Sequence, residues 1–280
     1  MSGRRVLITG GSKGIGRVVA DALAERGWRV ALLAREEHAL QRARGELPGE
    51  GHEAFAMDVA DESAWERLAP RLGDLQGLVC AAAVLDPVGP IGSYAVADFR
   101  RTLEVNVLGT LLAIRACLPA LLASRGAVVT FGGGGATTPL ARFDAYAASK
   151  AAVVRLSENI AVELAGQGVR VNSVAPGFVA TGIHQSTLAA GPGLAGAEYF
   201  ERTRAELERG GVPASEAAEL VCWLLEGDPD APFTGKLISA QWDAWREPRF
   251  RRRLAEERDL ATLRRIDDEL FAAIGEPARA

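Results

Sequence analysis

The sequence predicts an α/β chain built on a parallel sheet with helices over both faces. Three observations predict it. A short apolar run opens the chain and leads at once into a glycine-rich turn and a helical stretch. The same alternation of strand and helix then repeats as far as residue 174, and no internal repeat or low-complexity linker divides the chain. Strands separated by helical stretches imply right-handed crossovers, and so a parallel sheet.

In order, Arg4 to Thr9 is a short apolar strand and Val18 to Arg26 a helix closed by Gly27. The pattern continues with a strand over Arg29 to Ala34, a helix over Glu37 to Leu47, a strand over Glu53 to Met57, a helix over Glu62 to Leu72 and a strand over Leu78 to Ala82. A long helical region runs from Val96 to Ala123. It is followed by a strand over Ala127 to Phe131, a helix over Ala145 to Ala165 and a strand over Arg170 to Val174. Thr181 to Gly211 is glycine-rich and weakly periodic until a short helix over Glu198 to Glu208, the pattern of a mobile lid. A last strand falls at Lys236 to Ser239. The extension beyond it carries Trp242 and Trp245, then a charged helix with Leu263, Ile266, Leu270 and Ile274 at helical spacing.

Composition narrows the function. A hydrophobic content of 48% in 280 residues supports a substantial core. The net charge of -4 gives no reason to expect nucleic acid or an anionic membrane as partner. The basic run Arg249 to Arg253 is followed by Glu256, Glu257 and Asp259 and reads as a solvated helix face. Cys80, Cys117 and Cys222 are widely spaced with no C-x-x-C pair, which suggests a reducing cytoplasm and no structural zinc or other metal site. The first residues show no signal-peptide pattern, and no segment approaches the uninterrupted apolar length of a membrane span.

The candidate chemistry centres on Tyr146-Ala-Ala-Ser-Lys150. Four residues apart in a helix, the two side chains share one face. A neighbouring ammonium favours the phenolate and is expected to lower the tyrosine pKa, so that Tyr146 can exchange a proton with a substrate oxygen. Thr9-Gly-Gly-Ser-Lys-Gly-Ile-Gly16 lies in strand-turn-helix context, the setting of a dinucleotide site, with Gly10, Gly14 and Gly16 allowing a tight turn and close approach of phosphate. At the end of the second strand Arg35 follows Ala34 where a plain NAD site places an acidic residue, and Lys13 sits in the glycine loop. Two cations there suit a ribose 2′-phosphate, and so NADP(H).

These residues resemble the short-chain dehydrogenase/reductase family over residues 4–240. Thr9 to Gly16, with Ser12, Lys13 and Ile15, resembles its T-G-x-x-x-G-x-G loop; Asp58-Val59 resembles the pair that contacts adenine. Asn106 matches its helix asparagine, Tyr146 and Lys150 its catalytic pair, and Pro176-Gly177 with Thr181 its P-G-x-x-x-T segment beside the nicotinamide. The resemblance implies a single doubly wound, Rossmann-like domain that transfers hydride with a nicotinamide cofactor. It further implies Tyr146 as general acid, Lys150 holding the ribose, Asn106 supporting a proton-refilling water chain, and a homodimer or homotetramer. Cys80-Ala-Ala-Ala83 replaces the usual N-N-A-G, leaving the main chain, at Ala82, to meet the cofactor.

The serine expected thirteen residues before the tyrosine is replaced by Gly133, inside Gly132-Gly-Gly-Gly135. Losing one preorganised donor of this type costs roughly 2.7–4 kcal/mol of transition-state stabilisation. Thr137, Thr138 or the substrate's own hydroxyls are the candidate replacements. Residues 241–280 are expected to dock on the same or a neighbouring subunit; the alternative for Trp242 and Trp245 is to line the pocket mouth as stacking surfaces for a sugar or cyclitol ring. His184 and Gln185 are candidates to face the substrate, a lone loop histidine being more commonly exposed. The leading expectation is an NADPH-dependent reductase acting on a carbonyl of a small polar molecule. The alternative is a catalytically silent NADP(H)-binding sensor or scaffold.

Overall fold

The computed structural model describes residues 3–228 and 232–265. Seven strands, β1 (Arg5–Thr9), β2 (Arg29–Ala34), β3 (Glu53–Ala56), β4 (Gly77–Cys80), β5 (Ala127–Phe131), β6 (Arg170–Ala175) and β7 (Leu237–Ser239), form one parallel sheet in the order β3-β2-β1-β4-β5-β6-β7. The predicted doubly wound sheet is therefore present. The chain order reverses between β1 and β4, where Thr9 pairs with Leu33 on one side and Cys80 on the other. Ligands of such sheets bind in the crevice that opens there, beyond the carboxyl ends of the strands.

Strands β1, β4 and β5 are buried along their whole length because helices cover both faces. On one face, α1 (Gly14–Glu25), α2 (Glu37–Gly45) and α9 (Ala214–Glu226) bury Leu23, Leu40, Val221 and Leu224 against Ile8, Leu32 and Val129. On the other, α3 (Glu62–Leu68), α5 (Gly109–Ser124) and α6 (Asp144–Leu164) bury Trp65, Leu112, Leu121 and Leu164 against Leu7, Leu78 and Val171. Helix α9 has no counterpart in the sequence reading. Its apolar residues, Ala217, Ala218, Leu220, Val221, Cys222, Leu224 and Leu225, cover more than a narrow stripe because it is wedged against both α1 and the sheet.

The long helical region proves to be α4 (Val96–Leu103), one π-helical stretch over Glu104–Leu108, and α5. One 18-residue window within Val96–Ser124, with a mean hydropathy of 1.8, is apolar enough to cross a membrane by length and composition, although Asp98, Arg100, Arg101, Glu104 and Arg115 interrupt the span and leave no uninterrupted apolar run of that length. In the fold, α5 lies against β4 and β5.

Over the crevice, α7 (Gln185–Ala195) and α8 (Ala197–Glu208) form a helical pair where the sequence suggested a loop with one short helix. Gly191, with φ 69°, breaks α7 before Pro192 and hides its periodicity. The described part of the extension packs on its own chain. After α10 (Pro248–Glu256), the buried Lys236 ammonium donates to the carbonyls of Glu257, Arg258 and Leu260 at 2.7–3.0 Å. The Leu237 N–H bonds Ala261 O at 2.7 Å, and the Leu263 N–H bonds Glu158 Oε1 on α6 at 2.6 Å. Ile266, Leu270 and Ile274 lie outside the described residues.

Candidate active site

A cleft of about 850 Å³ runs from the glycine loop after β1, across the ends of β4 and β5, to the α7–α8 pair. At one end it is lined by Gly10, Ser12, Lys13, Gly14, Ile15, Gly16, Arg35, Asp58, Val59 and Ala82, and in its middle by Tyr146, Lys150, Pro176, Gly177 and Thr181. The sequence-predicted residues are thus brought to one continuous surface, with two exceptions. Thr9 and Asn106 are buried beneath it and do not line it.

Thr9 holds the crevice together. Its Oγ1 accepts the Ala82 N–H at 3.2 Å and its carbonyl accepts the Ala81 N–H at 3.2 Å. The segment after β4 therefore meets the end of β1 through its own main-chain N–H groups, and these two bonds need no asparagine side chain or glycine between Cys80 and Ala83. At Gly10 (φ 68°) an added Cβ would lie 2.8 Å from the Ala82 backbone, and at Gly16 only 2.5 Å from Gly10 O. At Gly14 it would meet nothing nearer than Thr181, 3.6 Å away, so the space above the second glycine is open. That opening at a helix N-terminus is where a dinucleotide pyrophosphate fits. Asp58 is held by Arg101 and by the Ala60 N–H at 2.9 Å; these outweigh burial and keep its carboxyl below the usual range. Glu36, unremarked in sequence, lines the cleft beside Arg35.

Helix α6 presents Tyr146 and Lys150 one turn apart, with Nζ 5.6 Å from the phenol ring centre and donating to Phe131 O at 3.1 Å. Burial pushes the Lys150 pKa down to about 8, partly opposed by the Cys80 sulfur. The Tyr146 pKa is raised, first by burial and then by Tyr199. This reverses the expected direction, because taking the phenol out of water disfavours its charged form. Tyr146 is consequently a phenol, in the state a proton donor needs.

The π-helical stretch places Asn106 under this pair. Its Oδ1 accepts the Val84 N–H and its Nδ2 donates to Val84 O, each at 2.9 Å, and Nδ2 also donates to Ser149 Oγ at 2.9 Å. Ser149 in turn donates to Tyr146 O at 2.7 Å. A buried amide satisfied on three sides fixes the crevice wall to the helix of Tyr146. Ser149 stands inside the Tyr146 to Lys150 stretch, and only its burial distinguishes it from a spacer.

Toward α7 and α8 the cleft is lined by Asp86, His184, Ser186, Tyr199, Arg202 and Glu206. His184 is half-buried, stacked 4.0 Å from Phe178, and shares a 3.1 Å hydrogen bond with Val179 O; burial lowers its pKa. It therefore faces the cleft, whereas Gln185 is exposed and lies outside the lining. The two tryptophans of the extension part company. Trp242 lines the cleft and is 80% exposed, but Trp245 is 4% exposed and packs on Trp223, with Nε1 donating to Ala240 O at 3.2 Å. Thr138 lines the cleft and Thr137 does not. Cys80, Cys117 and Cys222 are buried free thiols, and no metal-ligating cluster occurs among the described residues.

The family model described as short chain dehydrogenase matches residues 4–190. The chain is 35% identical over 240 residues to carbonyl reductase family member 4 of Danio rerio, covering 84% of this chain and 95% of that protein. It is 35% identical over 188 residues to D-threitol dehydrogenase of Mycolicibacterium smegmatis, covering 65% and 72% respectively. Among solved structures, a variant of actinorhodin polyketide ketoreductase with NADPH is similar with a TM-score of 0.75 and 28% identity, covering 85% of this chain and 95% of that one.

Proposed function

The chain belongs to the short-chain dehydrogenase family, and on that footing we propose that it is an NADPH-dependent reductase of a carbonyl on a small polar molecule. The carrying observation is that one cleft joins the open space over Gly14 to the paired Tyr146 and Lys150. The cofactor would be held by the loop from Gly10 to Gly16, by Asp58 and Val59 near the adenine, and by Pro176, Gly177 and Thr181; when bound it supplies the hydride. Tyr146 then gives its proton to the substrate oxygen as that oxygen gains charge, and the Lys150 ammonium stabilises the phenolate left behind. Asn106 and Ser149 hold the helix so that this transfer is short.

Because Lys150 loses its proton near pH 8, kcat/KM for reduction is expected to fall as pH rises above about 8. Tyr146 remains protonated throughout that range and adds no limb of its own. A pH–rate profile checks this, and a flat profile to pH 10 removes the ammonium from the mechanism.

Lys13 and Arg35 support NADPH over NADH, against the acidic neighbours Glu36 and Asp58, the second of which is already held by Arg101. A charge-assisted contact to a 2′-phosphate is worth roughly 1.5–3 kcal/mol, so Arg35→Ser should reduce the NADPH:NADH ratio of kcat/KM by about tenfold or more. An unchanged ratio would assign the preference elsewhere.

The mixed polar lining at Asp86, His184, Ser186 and Arg202, with the open indole of Trp242, favours a keto-sugar or keto-cyclitol substrate. Exposed Val96 and Val162, on the adjoining helices α4 and α6, support self-association as a homodimer or homotetramer. NADPH oxidation over a panel of ketones, ketosugars and ketocyclitols tests the activity. Tight NADPH binding without turnover would favour the second reading, a silent NADP(H)-binding sensor or scaffold, which Gly133 motivates.

A further inference from the structure

A carbonyl oxygen undergoing reduction accepts along two lone pairs, and Tyr146 serves only one of them. The second donor must come from whatever faces the phenol across the cleft. That is the backbone of Gly133: an ideal Cβ built there would lie 3.2 Å from Tyr146 Oη. The chain reaches this point under constraint. Phe131 O accepts from Lys150 Nζ at 3.1 Å and the Gly132 N–H donates to Val174 O at 2.9 Å, so the exit from β5 is tied to the lysine of the site. Beyond it, the Ala136 N–H donates to Gly133 O at 3.1 Å and closes a turn over residues 133–136. In a planar trans peptide the carbonyl and the N–H point in opposite directions. With Gly133 O directed into the turn, the Gly134 N–H is directed out of it.

Neither the Gly133 N–H nor the Gly134 N–H has an acceptor among the described hydrogen bonds, and both residues line the cleft. Gly134 is exposed and Gly133 half-buried, so both donors are open to solvent, and an acceptor that enters the cleft beside the reacting position can take them from water. A Cβ at Gly134 would meet nothing within 4 Å, so this peptide faces open space. Gly133 has φ 130°, a conformation that side chains rarely adopt. The loop is therefore one that only glycine sustains, rather than a serine-type loop with its hydroxyl deleted.

Resting on the reductase reading, we propose that the peptide N–H groups of Gly133 and Gly134 bind the substrate oxygen opposite Tyr146, as a main-chain oxyanion site. The run of four glycines is then the means by which the backbone turns two donors towards one point. Side-chain hydroxyls at Thr137 and Thr138 are not required.

Two altered full-length chains test this, assayed with whichever ketone of the panel the wild type reduces fastest. Gly133→Ser installs a hydroxyl but forces the loop from φ 130°. It is expected to lower kcat by about 10²-fold, the loss typical of one missing oxyanion donor, with the NADPH Kd held within about twofold. A kcat at or above wild type would mean that a hydroxyl is what the site lacks, and would overturn the assignment. The second chain, made by semisynthesis, carries glycolate at position 134, so that an ester oxygen replaces the N–H while glycine's freedom is retained. It should lose about tenfold or more in kcat, with KM, NADPH Kd and thermal midpoint nearly unchanged, a split that mere loop damage does not produce. An unchanged kcat overturns the Gly134 donor even though the reductase stands. A wild type that reduces no ketone overturns the reductase reading, and the oxyanion site with it.

Discussion

Tyr146→Phe is expected to lower kcat by roughly 10³-fold, within the range that one positioned general acid contributes, while NADPH still binds. Three observations fix the size and the selectivity of this effect. The phenol is held protonated by its surroundings, so it is the proton source closest to the substrate oxygen at working pH. Its hydroxyl has no hydrogen-bond partner among the described residues, so phenylalanine leaves no buried partner unpaired and the fold should keep its thermal midpoint within about 2 °C. The contacts that place the helix are made by the Tyr146 carbonyl and by Ser149, Lys150 and Asn106, none of which the substitution touches. NADPH titration by fluorescence, with single-turnover rates alongside, separates binding from chemistry. Full turnover in the variant would remove the tyrosine from the reaction and leave Lys150 to be explained otherwise.

What could be read in the sequence was what depends on spacing. The strands β1 to β6 fell where apolar runs alternate with helical stretches, and the glycine loop, Asp58, Tyr146, Lys150 and Pro176 reach one cleft because the parallel topology brings every strand's carboxyl end to the same edge. What could not be read depends on which groups are taken out of water. Spacing alone puts an ammonium beside the Tyr146 phenol and predicts a lowered pKa; burial of the phenol, with Tyr199 beside it, raises it instead. Trp242 and Trp245 are equally apolar in sequence, yet one remains in the cleft and the other is absorbed between α9 and the extension. Ser149 and Thr9 resemble a spacer and a loop residue until their hydroxyls are seen bridging separate segments. Helix α7 escaped detection because Gly191 and Pro192 erase its period.

Gly10, Gly14 and Gly16 of the loop are expected to fail in different ways when each is replaced by alanine, because each meets a different obstacle. At Gly16 the new methyl would stand 2.5 Å from Gly10 O, a contact that main chain cannot relieve without separating α1 from β1. At Gly10 it would stand 2.8 Å from the Ala82 backbone, and φ of 68° adds the left-handed penalty. Overpacking of this kind costs about 1–3 kcal/mol, so both variants should lose stability by that amount in urea unfolding. They should lose NADPH affinity as a consequence, since β4 and the loop can no longer close the crevice. Gly14 has φ of 60° but open space in front of it. Its alanine variant should lose only about 1 kcal/mol of stability, while NADPH binding weakens by about 10²-fold or more because the methyl occupies the room left for phosphate. A Gly14→Ala chain that binds NADPH normally would place the pyrophosphate away from this helix terminus. Equal destabilisation of all three would show that the loop responds to backbone freedom alone.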